Sequence, residues 1–179
     1  TAARVLGEAA HRRGMPVSVS QLHGMSQRGG AVQSSVTIGS DRVLPPSTAA
    51  ADVVVALELI EALRVLPRIG PETTVLCNLA LVAPPGTSLA GTRAPSSEEI
   101  VAAIRVRAGY AQFIDASALA AECGSAHAVN AVMLGALSAL PVCPVPAEEL
   151  LAAILDGVRP AARASCERGF ALGRSALRA

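Results

Sequence analysis

The sequence contains no lysine and no tryptophan. Its fifteen cations are therefore all arginines, set against fourteen acidic residues for a net charge of +1. Without a lysine the chain can neither form a Schiff base nor complete a lysine-dependent phosphate loop. Aromatics are equally scarce, with one Tyr and two Phe. A nucleic-acid binder relies on a basic excess and on rings that stack against bases, so no nucleic-acid role is expected.

Long hydrophobic runs are missing too. A bilayer span needs about 20 apolar residues. The longest candidate, Ala126 to Pro146, contains His127 and Asn130 and is interrupted by Pro141, Pro144 and Pro146. A soluble protein without membrane association is the expectation. The chain starts at Thr1 and its first residues read as a helix, not as a charged-then-apolar leader, so a segment upstream is expected to be missing. Close cysteine pairs are also lacking, because Cys77, Cys123, Cys143 and Cys166 lie far apart and no CxxC occurs. Iron–sulfur and zinc centres need paired thiolates presented by one loop. Four isolated cysteines read instead as small buried apolar residues in a reducing, cytoplasmic compartment, with no metal or cluster held by this chain.

What remains is 179 residues, 51% of them hydrophobic, and neither a repeat nor a linker divides them. That length suits one domain over residues 1–179. Apolar blocks alternate between strand-like and helix-like spacing. Ala2 to Arg13 reads as a helix stopped by Gly14, and Pro16 to Ser20 as a strand followed by a polar loop over Gln21 to Gly30. Further strands are expected at Ala31 to Ile38, Ala51 to Leu57, Thr73 to Leu79 and Tyr110 to Ile114. Helices are expected from Glu58, from the Ser96/Glu99 capping box, over Ala116 to Glu122, over Ala128 to Leu140 and from Glu148 onward, with a break or kink at Pro160. This alternation predicts a three-layer α/β/α domain with a mainly parallel sheet.

The densest polar segment is His23-Gly24-Met25-Ser26-Gln27-Arg28-Gly29-Gly30. Its glycines would let backbone amides approach a ligand, while Arg28 and Ser26 add a cation and a hydroxyl. The segment follows a strand, where α/β ligand sites usually lie. It reads as an anion pocket or a shared active-site loop, or equally as a glycine-rich turn feeding the next strand. Glu58, which closes the ADVVVAL run, is either a ligand-facing carboxylate or an acidic first-turn residue. Asn130 is read first as the cap of the apolar helix after it. Glu61 and Arg64 have the spacing of an exposed helical pair.

The run HGMSQRGGAVQSSVTIG at His23 to Gly39 resembles the signature of the gamma-type domain of 2-oxoacid:ferredoxin oxidoreductases. The match is closest to the beta-subunit group of the indolepyruvate branch. It continues through ADVVVALELIEALR, Asn78, Pro84-Pro85, IDASALAAECGSAHAVNAVMLGAL and SCERGFALG. Members of that family usually begin with a strand and a GxGGQG-like turn, and this chain starts just after that point. Its VLPPSTA segment at Val43 to Ala49 is also tighter and less acidic than usual.

The resemblance implies a non-cluster subunit supporting oxidative decarboxylation of an aryl 2-oxoacid to its acyl-coenzyme A, with electrons passed to ferredoxin. Thiamine diphosphate and the iron–sulfur clusters would reside on a large partner subunit. It nominates His23, Ser26, Gln27, Arg28, Gly29, Gly30, Glu58 and Asn130 as substrate or coenzyme A contacts. A different reading is a free-standing nucleotide- or coenzyme-A-binding α/β module with a regulatory or assembly role, against which the lack of a complete dinucleotide fingerprint counts. The nearly all-apolar Ala128 to Leu140 must be buried in the core or against another chain. A homodimer of the isolated chain is expected on that basis.

Overall fold

In the computed structural model, which describes residues 1–23, 32–40, 50–82 and 94–177, the chain opens with α1 (Ala2–Arg12). Thr1 caps it by accepting from the Arg4 amide, and Gly14 ends the segment with a φ of 70° that disfavours any residue with a Cβ. Ala9 and Ala10 are fully buried, with Val5 and Leu6 packed against the same core. The end of α1 is less free than its three cationic residues suggest. Arg12 reaches Glu8 at 3.0 Å and Asp156 at 2.7 Å, although all three side chains stay partly in solvent.

β1 (Val17–His23) and β2 (Val32–Ile38) pair antiparallel from Val17 opposite Ile38 to His23 opposite Val32. The sequence places a loop from Gln21, and the structure corrects this. Pairing with β2 supplies hydrogen-bond partners to Gln21, Leu22 and His23, whose own residue types carry little strand signal.

β3 (Val53–Ala56), β4 (Thr74–Asn78) and β5 (Tyr110–Ile114) form a parallel sheet in that order. Its middle strand is buried on both faces. Val75 and Cys77 meet Leu59 and Ala62 of α2 (Leu59–Arg64) and Ile100 and Ile104 of α3 (Ser97–Arg107). Leu76 points the other way, into a core that includes Val132 and Met133 of α5 (Val129–Leu137). Helices therefore cover both faces of the parallel sheet, the expected α/β/α layering. The helix starts follow local chemistry. Ser96 accepts from the Glu99 amide at 3.3 Å while its own amide donates to Glu99 Oε2 at 2.7 Å. Asp115 caps α4 (Ala116–Glu122) by accepting from the Ala118 amide at 2.8 Å.

Glu148 and Glu149 fall in the first turn of α6 (Ala147–Asp156), where the helix dipole favours negative charge. Pro160 does not kink a helix but opens one, α7 (Pro160–Ala176), because the first helical position needs no N–H. Among the described residues no helix is long and apolar enough to cross a membrane.

Every residue of α5 from Ala131 to Leu137 is buried. Of the two burials that the sequence allows for this segment, the structure shows the one inside the chain's own core, so this helix lends no support to self-association. Its closest neighbour is α7. A Cβ on Gly135 would run into the Phe170 carbonyl, and one on Gly173 into the Val132 carbonyl. A Cβ on Gly169 would lie 3.3 Å from Ala128 Cβ and Val132 Cγ2. The two backbones touch because those positions carry no side chain. Gly173→Ala is expected to lower stability by about 3 kcal/mol or more, since neither backbone can yield without unpacking the core. Gly157→Ala, whose new Cβ would have no neighbour nearer than 3.5 Å, should stay within about 0.5 kcal/mol of wild type. Paired urea denaturation curves decide the matter, and equal losses would disprove the close-contact account.

Candidate functional site

The three parallel strands end together, and their ends are tied by one amide. Asn78 is the last residue of β4 and is 1% exposed. Its Nδ2 donates to the Leu57 carbonyl at 2.9 Å and to Ser117 Oγ at 3.1 Å. Its Oδ1 accepts from the Ala116 amide at 3.0 Å. The turn after β3 and the start of α4 after β5 are thereby fixed to the end of β4. Two main-chain bonds tighten the arrangement, from the Leu59 amide to the Ala80 carbonyl at 2.8 Å and from the Leu79 amide to the Ile114 carbonyl at 2.9 Å. The carboxyl end of a parallel sheet is where α/β proteins place their ligands.

Glu58 sits on this edge, directly after Leu57. Its backbone is extended, and its side chain does not cap α2 although it occupies the capping position. The residue is half-buried, and its Oε2 is covered yet has no hydrogen-bond partner among the described residues. The backbone thus places Glu58 at the capping position just before the first turn of α2. Glu61 and Arg64 do pair on the outer face of α2, at 3.2 Å, which contributes only about a few tenths of a kcal/mol.

Of the other predicted contacts, His23 ends β1 with its backbone opposite Val32. Ser26, Gln27, Arg28, Gly29 and Gly30 lie outside the described residues. Asn130 is not a cap. A 3₁₀ turn over Ala126–Ala128 runs directly into α5, so Ala128 takes the capping position and Asn130 falls inside the first turn, exposed. Nothing brings it to the strand-end cluster.

Sequence reasoning passed over Asn78 and Ser117 as site residues. The signal was present, since an amide closing a buried-type strand (TVLCN) must find several partners once it is desolvated.

The thiols behave as core. Burial pushes Cys77 up to about 12, and its Sγ donates to the Asn78 carbonyl at 3.3 Å. Burial also raises Cys143 and Cys166. None of these three is poised as a nucleophile, which requires a stabilised thiolate. Cys77 packs between the sheet and α2 and α3, whereas Cys123, Cys143 and Cys166 belong with the core on the opposite face. With one thiol across the sheet from the other three, the four do not gather around one iron–sulfur cluster.

A parallel sheet covered by helices on both faces, with its strand ends tied together, defines an α/β domain. Comparison with known proteins narrows this. Residues 1–176 match the pyruvate ferredoxin/flavodoxin oxidoreductase family. The chain is similar to the indolepyruvate oxidoreductase subunit IorB of Pyrococcus horikoshii, with 35% identity over 99% of this chain and 89% of that one. It is 33% identical to the subunit of the same name from Methanothermobacter thermautotrophicus, over 86% of this chain and 79% of the relative. Among solved structures, the gamma subunit of a keto/oxoacid ferredoxin oxidoreductase from Geobacter sulfurreducens superposes with a TM-score of 0.68 at 22% identity, over 99% of this chain and 90% of that one. A 2-oxoglutarate:ferredoxin oxidoreductase from Magnetococcus marinus gives 0.71 at 19% identity, over 97% of this chain but 28% of that one. At those identities the two structures speak for the fold alone. The chain belongs to the pyruvate ferredoxin/flavodoxin oxidoreductase family.

Two outcomes follow from the site. Asn78→Ala leaves a carbonyl and an amide without their partner in a buried place, at about 1–3 kcal/mol each. Thermal melts should fall by several degrees, and Asn78→Asp should not rescue them, because a carboxylate offers no donor to Leu57. A melting point unchanged in Asn78→Ala would remove the clamp. For Cys77, a folded pKa above the unfolded value of about 8.5 stabilises the protein below that pH, and the contribution is lost as pH rises toward about 12. Denaturant titrations from pH 8 to 11 should therefore show stability falling less steeply in Cys77→Ala than in wild type.

Proposed function

We propose that this chain is the smaller, cluster-free subunit of an indolepyruvate-type 2-oxoacid:ferredoxin oxidoreductase, folded over residues 1–179 as one gamma-type domain and working in the cytoplasm. It supports the oxidative decarboxylation of an aryl 2-oxoacid to its acyl-coenzyme A, with electrons passed to ferredoxin. The observation that carries this reading is the identity of 33–35% to relatives named as indolepyruvate oxidoreductase subunits, over most of both chains. The placement of Cys77 across the sheet from the other three cysteines supports the same division of labour, in which thiamine diphosphate and the iron–sulfur clusters belong to a larger partner subunit. Thiamine diphosphate supplies the carbanion chemistry there.

The contribution assigned to this chain is contact and enclosure. His23, Ser26, Gln27, Arg28, Gly29 and Gly30 would approach coenzyme A or the oxoacid. Arg28, a planar and permanently charged fork, suits a phosphate or carboxylate. Asn130, exposed on α5, is assigned as a contact in the assembled complex.

Mixing the purified chain with a purified large subunit of an indolepyruvate-type oxidoreductase tests the proposal. The chain alone should be colourless and inactive, and the pair should reduce a viologen dependent on coenzyme A, with kcat/KM for an aryl 2-oxoacid at least tenfold above that for pyruvate. Arg28→Ala should raise a KM about tenfold or more at an unchanged melting temperature, the cost of one charge-assisted hydrogen bond. Turnover by the chain alone, or a pair indifferent to aryl substrates, would refute the assignment.

A further inference from the structure

We infer that Leu57, Leu79, Leu81 and Val82, grouped around Glu58, form the ledge on which the larger oxidoreductase subunit docks, and that Glu58 accepts a guanidinium or ammonium group from it. The inference rests on the subunit reading above and names the surface that the complex would use.

The four apolar residues are 43%, 40%, 41% and 63% exposed, an unusual state for large aliphatic side chains standing side by side. They belong to one surface by construction. Leu57 follows β3, the other three follow β4, and the Leu59 amide is bonded to the Ala80 carbonyl between them. Asn78 holds the Leu57 carbonyl from below. The ledge is thus rigid before anything binds, which reduces the ordering cost of association. A hollow of about 460 Å³ continues it from Leu79 along α3, past Val101 and Ala102, with Glu98 and Arg105 at its sides. Apolar centres with a charged rim are the make-up of protein interfaces, whereas a small ligand would be enclosed.

Glu58 gives the partner its chemistry. A carboxylate oxygen removed from water without a donor is unfavourable, and Oε2 has none among the described residues. The side chain caps no helix amide, and the residue is only half-buried. A cation brought by a partner would supply that donor. A second copy fits poorly, because a two-fold contact would oppose two such carboxylates. The cation available at the groove, Arg105, already lies 5.5 Å over the Phe113 ring. The larger subunit, bringing an apolar patch with an Arg or Lys at its centre, meets both requirements.

Binding of the purified large subunit to the immobilised chain, measured by biolayer interferometry at several salt concentrations, tests this. Glu58→Gln keeps the shape and loses the charge. It should weaken binding about ten- to a hundredfold and flatten the salt dependence, and Leu79→Asp should weaken binding further. Val106→Asp, at a residue 86% exposed near the end of α3, should bind as wild type. Circular dichroism melts check that each variant folds, and Glu58→Gln decides alone if Leu79→Asp does not. Wild-type affinity and salt slope in Glu58→Gln, or equal weakening by Val106→Asp, would overturn the ledge while the complex itself still forms. If the wild-type chain does not bind the large subunit at all, the subunit reading falls and the docking proposal falls with it.

Discussion

A helix with no polar face has to be surrounded, and α5 is surrounded by this chain itself. Its residues Ala131 to Leu137 are all inside, and α1, α4, α6, α7 and the middle strand β4 are arranged around it. Such crowding works only if the most intimate neighbour can approach backbone to backbone. Gly135 on α5 and Gly169 and Gly173 on α7 provide that approach, since a single added Cβ would strike a carbonyl at two of the three positions. Dispersion contacts at this range accumulate over the whole helix length, so the core gains much from residues that are individually small. An alanine- and glycine-rich chain with only two Phe can in this way build a dense interior.

With α5 fixed, the sheet above it has one face occupied by Leu76 and its neighbours and the other by α2 and α3. The carboxyl edge is what remains open. Asn78 turns three independent strand ends into one platform, because a buried amide must place both of its donor hydrogens and its carbonyl oxygen. Glu58 shows the opposite behaviour on the same platform, since its Oε2 has no donor among the described residues. The amide ties the edge together, and the carboxylate oxygen beside it adds no tie of its own.

Local signals proved readable where the chemistry is local. The Ser96/Glu99 capping box, the helix over Ala116 to Glu122 and the helix from Glu148 onward are signalled by residues close in sequence, and each is formed. The parallel strands were legible because a strand buried on both faces is apolar throughout. The extension of β1 through Gln21 to His23 was not legible, because it depends on β2 lying alongside. Asn130 misled for a related reason. Whether an Asn caps a helix depends on the turn that precedes it, and the 3₁₀ turn at Ala126–Ala128 had already begun the helix.

Composition and motif alone determined the α/β class, the absence of a lysine chemistry and the family, since these are properties of residue types and their order. They nominated Glu58 but could not choose between its two roles. The tertiary structure decided that α5 is internal, that Asn78 carries the strand ends and that Glu58 Oε2 finds no donor among the described residues. Those are statements about which distant groups share a desolvated space. Hydrogen-bond satisfaction is settled only there, once folding has removed water as the alternative partner.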